Sequence, residues 1–460
     1  MLYSLLALSG LAAVLMVHLN TREHAGITIK DYFVVFFMIM YGPQICFVAG
    51  FDETIAPLIS PEIHQQYLVG MAIAYYSVAF GWLGAHVLGS QTSQATSGGI
   101  GGHSGGVPAP FVAAPYLAIA WVIVVAAVEG FSFEKLTTIA SYASGTGDLA
   151  YVEIRNELFD DRAVDALSRL TRYNITAFLF CMSIGAYVIT RRRLALTVVA
   201  CLLLFLVCAI EIKKFIWVYY LLLATLTTYH VLTELRGKSP LSARALVLAA
   251  IGMIVLLGFI LVSLYFFQYR SQAEEGDFEL FDALYVSVYR IFLVYQDVLL
   301  LYFFVYPSSL PHLDGSGIQL LMTILGGEFR DATVEVPVIA LNARQTSFPA
   351  GFVASGYADF GLPGIAVSGI FVGGLVVFLS RVVRRISDPV TRGVFTAMVG
   401  LSVNQFTATP LHTALLSGGI LSGPIIIWLY LFLRPRQRPG HMWQDGRGPQ
   451  VDATRLGRSG

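Results

Sequence analysis

The chain reads as an all-α polytopic membrane protein of about 11 transmembrane helices with one large extracytoplasmic loop. Three observations predict this. Of its 460 residues 56% are hydrophobic and only 13% charged, with a mean hydropathy of +0.70, and a soluble domain cannot keep that much apolar surface from water. Apolar runs of about 17–24 residues recur along the chain, the length a helix needs to cross the hydrocarbon core. Basic residues gather at alternate connections, as the positive-inside bias requires.

The runs fall near 2–18, 33–50, 67–89, 111–129, 174–190, 194–211, 215–232 and 245–268, then near 363–380, 393–409 and 415–433. No Lys or Arg precedes the first, unlike a signal peptide, so it reads as a spanning helix with its N-terminus outside. Arg22 and Lys30 follow it. Arg191, Arg192 and Arg193 follow the fifth run, and Arg236, Lys238 and Arg244 the seventh. Arg381, Arg384, Arg385 and Arg392 follow the ninth, and the tail beyond 433 carries six arginines. These assign one face to the cytoplasm and place the C-terminus there.

Four segments result. Residues 1–268 hold eight spans, with an extracytoplasmic loop at 130–173. Residues 269–362 form the large loop, 363–433 the last three spans and 434–460 a cytoplasmic tail. The Ser/Gly-rich stretch 90–110 is a flexible cytoplasmic linker. Within the large loop, 287–306 is apolar and long enough to cross. Crossing would turn the basic cluster 381–385 outward and place Arg290, Gln296 and Asp297 in lipid, each at a cost. It therefore reads as an interfacial or re-entrant helix. No internal repeat is evident.

Several function classes drop out. A formal net charge of zero argues against a nucleic-acid partner. The four cysteines lie inside apolar runs with no His or second Cys at ligand spacing, so they read as small apolar residues. There is no DxD, HExxH, GxSxG or P-loop pattern, which indicates no tightly held catalytic metal and no hydrolase or ATPase site.

The polarity left to explain lies on the outer face, where a loop of about ninety residues is far longer than an ordinary connection. Lys213 and Lys214 break the charge pattern between two spans. They either snorkel to outer-leaflet phosphates or bind an anionic lipid head group. Arg290, Arg330 and Arg344 add cations whose planar fork suits phosphate. Singly they read as solvated or salt-bridged loop residues; converging with the lysines they would clamp a pyrophosphate. Asp297, Asp314, Glu328, Asp331, Glu335, Asp359 and His312 are candidate bases, and no spacing singles one out.

The stretch TSFPAGFVASGYADFGLPG, 346–364, leads into the ninth run. Pro349 and Pro363 restrict the backbone while four glycines permit close turns. Phe352, Tyr357 and Phe360 suit a headgroup layer or a sugar face. An ordinary helix start with an aromatic belt accounts for the same residues.

TSFPAGFVASGYADFGLPGIAVSGIFVGGL (346–375), IKKFIWVYYLL (from Ile212) and SVYRIFLVYQ (287–296) together resemble the Wzy-type polymerases of O-antigen and exopolysaccharide repeat units. The resemblance runs over roughly 200–433. It implies a GT-C-like glycosyltransferase of the bacterial inner membrane, with a periplasmic N-terminus and no metal or other cofactor. Donor and acceptor would be oligosaccharides linked to undecaprenyl pyrophosphate, joined on the periplasmic face, with a chain-length regulator as a further partner. Arg290, Arg344, Asp297 and His312 would carry catalysis; Lys213, Lys214, Arg330, Tyr357 and Asp359 would bind substrate. An O-antigen ligase would share this architecture. A glycolipid transporter would instead predict internal repeats and charges near the bilayer midplane.

Overall fold

The computed structural model describes residues 2–22, 27–42, 55–93, 109–129, 174–209, 214–236, 280–289, 293–343, 347–348 and 351–416, with scattered positions in 252–263 and 419–429. Every regular element among the described residues is a helix. In chain order they are α1 (Leu2–Asn20), α2 (Ile29–Tyr41), a 3-10 turn (Ala56–Leu58), α3 (Pro61–Ser93), α4 (Ala109–Glu129), α5 (Thr176–Thr190), α6 (Leu194–Ala209) and α7 (Lys214–Arg236). Then follow α8 (Leu280–Val288), α9 (Val294–Val305), α10 (Gln319–Leu325), α11 (Ala332–Leu341), α12 (Phe352–Arg384), α13 (Pro389–Ser402), α14 (Gln405–Ala408) and α15 (Leu411–Leu416). The predicted spans 245–268 and 415–433 lie largely outside the described residues.

Local chemistry marks several starts. Thr28 and Asp31 form a capping box on α2. Asp331 caps α11 by accepting from the Thr333 N–H. Asp388 caps α13, with Pro389 at the first helical position, where a missing N–H costs nothing. Three helices among the described residues are long and apolar enough to cross a membrane: α1, the stretch Pro61–Gly89 of α3, and α12.

α3 and α12 make the most extensive contact and run parallel. Gly70 lies by Ile365, Gly81 against the backbone of Ile370, and Gly89 against the Arg381 guanidinium. Gly373 in turn meets the backbone of Val78. Without side chains at Gly81 and Gly373 the two backbones touch, which is how helices pack closely where no hydrophobic effect drives them together. α1 runs parallel to α3, with Gly10 at Tyr75 and Trp82 Nε1 donating to Thr21 Oγ1 at 3.0 Å. α4 and α5 are antiparallel, joined by Gly185 at Phe111 and by Trp121 Nε1 donating to Thr176 Oγ1 at 3.0 Å. α7 and α13 are antiparallel, with Gly393 against His230 and Val231.

These directions set ion pairs and polar contacts among the described residues into two layers at opposite ends of the bundle. One layer holds His18 with Asp31 at 3.0 Å, Tyr32 with His230 at 2.8 Å and Glu234 with Arg392 at 2.6 Å. Arg381 belongs to it too, donating to the carbonyls of Ala85 at 2.6 Å and His86 at 3.0 Å. The other layer surrounds the start of α12.

Two features there differ from the hydropathy reading. Of the run 287–306, read as an interfacial or re-entrant helix, residues 290–292 lie outside the described residues. Its second half is α9, 12 residues long and so about 18 Å, too short to cross a hydrocarbon core of about 30 Å. It is inserted among α2, α3, α11 and α12, with Leu299, Leu300 and Leu301 wholly buried. Burial in protein is what makes Gln296 and Asp297 tolerable. The ninth run, predicted from 363, begins eleven residues earlier at Phe352 and is broken inside. At Phe360 (φ −139°, ψ 17°) and Gly361 (φ 64°, ψ −149°) the backbone leaves the helical region. The turn is so sharp that the backbones of Gly356 and Gly364 meet across it.

Candidate functional site at the break in α12

A broken helix leaves carbonyls without intrahelical donors. The loop after α9 supplies them. The N–H of Leu313 donates to the Ala358 carbonyl and that of Asp314 to the Asp359 carbonyl, each at 2.9 Å. The next residues bring the Gly317 N–H to Asp359 Oδ1 at 3.1 Å. The break therefore locks loop 312–317 onto the start of α12 and holds the Asp359 carboxylate, 6% exposed, in place.

Asp359 lines a small cavity with Tyr302, Asp331, Thr333, Ser355 and His412, with room for about one water molecule. Asp331 Oδ1 accepts from the Thr333 N–H at 2.9 Å and from its hydroxyl at 2.7 Å. The Leu411 N–H donates to Ser355 Oγ at 3.2 Å, which ties the start of α15 to α12. His412 meets Phe329 edge-on, ring centroids 6.4 Å apart. Burial pushes its imidazole below the usual histidine range, against the opposing pull of Asp331. Two carboxylates, an imidazole and three hydroxyl side chains thus line one small space, a set that can hold a hydroxyl and take its proton.

The residues singled out from sequence fall into three groups. Asp359, His312, Tyr357 and Arg330 are brought together. The His312 ring stacks on Tyr306 at 6.1 Å and meets Tyr357 edge-on at 5.4 Å. Its Nδ1 is enclosed with no hydrogen-bond partner among the described residues. Tyr357 is a core side chain rather than a free platform. Phe303 stacks on it at 3.9 Å, and its hydroxyl donates to the Tyr306 carbonyl at 3.1 Å. Arg330 already has its fork on Glu335, Nε to Oε1 at 2.9 Å and Nη2 to Oε2 at 2.8 Å. That hydrogen-bonded pair pushes the guanidinium pKa up, and the Tyr306 hydroxyl adds a bond to Glu335 Oε2 at 3.2 Å.

Asp297 forms the second group alone. It is wholly buried in α9, accepts from the Tyr289 hydroxyl at 3.1 Å and does not line the cavity. Lys213, Arg290 and Arg344 lie outside the described residues. Lys214 is described only as the first residue of α7. Sequence reasoning missed His412, Thr333 and Ser355. His412 carried a readable signal, a histidine in the short polar connection between two late apolar runs. The hydroxyls carried none.

Among the described residues no three or more His, Cys, Asp or Glu side chains come together as metal ligands. The chain matches no family model, no curated protein and no solved structure.

Proposed function

We propose that the chain is an inner-membrane glycosyltransferase that joins undecaprenyl-pyrophosphate-linked oligosaccharide repeat units into a longer glycan on the periplasmic face. One observation carries the reading: a buried carboxylate, Asp359, is fixed by the break in α12 in a small cavity that Asp331 and His412 also line, at one end of an apolar helical bundle. The motif resemblance at 346–375 lies over that same break, and the positive-inside bias puts it on the outer face.

In the reaction, the acceptor hydroxyl oxygen attacks the anomeric carbon of the donor glycan. The bond from that carbon to the pyrophosphate oxygen breaks, and undecaprenyl pyrophosphate leaves with the electron pair. Asp359 takes the hydroxyl proton, with His412 and Asp331 beside it. Pyrophosphate is a weak base, so cations alone ease its departure. Arg290, Arg344, Lys213 and Lys214 are assigned that role, and the activated lipid supplies the free energy. Among the described residues the ion pairs lie towards the two ends of the bundle, which favours this reading over a transporter, which needs charged groups at mid-depth.

The test compares Asp359→Asn with wild type in membranes supplied with lipid-linked repeat units. A near-isosteric change that abolishes long chains, while protein level and thermal stability stay near wild type, supports the assignment. Undiminished chain formation by Asp359→Asn removes it.

A further inference from the structure

α10 carries an apolar surface left exposed among the described residues. Ile324 is 72% and Leu325 66% exposed, and Leu321 beside them is exposed as well. The flanking segments are ordered by hydrogen bonds, from the Ile318 N–H to the Gly315 carbonyl at 3.0 Å and from the Arg330 N–H to the Ser316 carbonyl at 3.0 Å. The helix is therefore held in this position. Where it points is set by Gly315, whose missing side chain leaves space bounded by the Phe360 ring and by Leu321. Phe360, 48% exposed, sits at the break itself.

Phe360 is also the first member of a longer stripe. Val367, Phe371 and Phe378 are exposed on α12 at helical spacing, and α12 is apolar and long enough to cross a membrane. The uncovered surface of α10 thus continues, through Leu321 and Phe360, the face that α12 turns to lipid. A patch of this kind in water is an association hazard, whereas against acyl chains it is satisfied.

We infer that α10 is seated in the bilayer, with Leu321, Ile324, Leu325 and Phe360 forming a shoulder immersed in the leaflet on the side of the α12 break. Its occupant is the lipid itself. Exposed Glu328, just past the Gly326–Gly327 turn, marks the return to water. Gly317 and Asp359, which line the cavity, are close in the chain to Gly315 and Phe360, so the cavity lies beside this shoulder. The placement does not depend on the polymerase reading.

The test places a nitroxide at Ile324→Cys or Leu325→Cys, in a background where Cys46, Cys181, Cys201 and Cys208 are replaced by alanine. Val367→Cys and Glu328→Cys serve as lipid and water references. In phosphatidylethanolamine/phosphatidylglycerol vesicles, collisions with oxygen should exceed those with a water-soluble nickel chelate several-fold at 324 and 325, as at 367. The order should reverse at 328. Chelate dominance at 324 and 325 would overturn the proposal. So would exclusion of both reagents, which would indicate a protein cover. A second measurement needs no substitution. A membrane-soluble diazirine lipid should label peptides spanning 319–327 of the wild-type chain, and unlabelled peptides there would count against it. Both readouts report position whether or not the protein turns over sugar, so their failure and that of the enzymatic reading are separable.

Discussion

Gly361 and His312 meet face to face at the break in α12: a Cβ built on Gly361 would stand 3.1 Å from His312 Nε2. The glycine holds φ 64° and ψ −149°, a region essentially closed to other residues at a cost of about 1–3 kcal/mol. Gly361→Ala should therefore lower stability by that order. Part of the loss should return in Gly361→Ala combined with His312→Ala, where the imidazole no longer crowds the new methyl. Thermal unfolding in detergent reads both. Strict additivity of the two substitutions would mean that the contact does not constrain the turn.

Arg330 and Glu335 form a bidentate pair in which each side chain keeps about a third or less of its exposure, 33% and 26%. Screening limits such a pair to about 1 kcal/mol or less, so Arg330→Ala should barely move the unfolding midpoint. Its fork is occupied, and a pyrophosphate would have to displace Glu335 to reach it. Glu335→Gln should then bind a pyrophosphate-headed lipid several-fold tighter than wild type, with a neutral lipid unaffected. An unchanged affinity would assign Arg330 to holding loop and helix together.

His412 gives the site a pH dependence with a definite sign. Its folded-state pKa lies below the usual histidine value because burial disfavours the charged ring. A neutral buried histidine contributes stability that is fully present above the unfolded-state value and is lost as pH falls through the folded one. Between about pH 7.5 and pH 5, wild type should thus lose more thermal stability than His412→Gln. Parallel pH profiles for the two proteins would contradict this.

Much of the fold was legible because a lipid-crossing helix writes its length directly into the sequence. The apolar runs at 2–18, 67–89 and 363–380 correspond to the cores of α1, α3 and α12. The ends were less legible. Hydropathy sees lipid contact, so it placed the start of α12 at 363 and missed 352–359, where Gly, Ala, Ser, an acid, one Val and two aromatic residues pack mostly on protein. For the same reason 287–306 read as an interfacial or re-entrant helix. Its charge and amide were weighed against lipid, when Leu299 to Leu301 and Asp297 are in fact enclosed by other helices. The site was half legible. The glycines and Pro363 announced an irregular backbone, and Asp359 stood within it. Which acids share a cavity with it depends on loop 312–317 folding back onto α12, a long-range pairing that no spacing reveals. Thr333, Ser355 and His412 come together only through that folding.

The central claim is that this protein elongates lipid-linked glycans by itself. The most direct measurement supplies purified wild-type protein in proteoliposomes with a single undecaprenyl-pyrophosphate-linked repeat unit, no nucleotide and EDTA, and follows glycan length by gel. The account predicts a ladder of products spaced by one repeat unit, with undecaprenyl pyrophosphate released in step, and no ladder from Asp359→Asn. Folded wild-type protein that moves the lipid across the bilayer, or transfers the glycan only to a different acceptor, without forming a ladder, would contradict it.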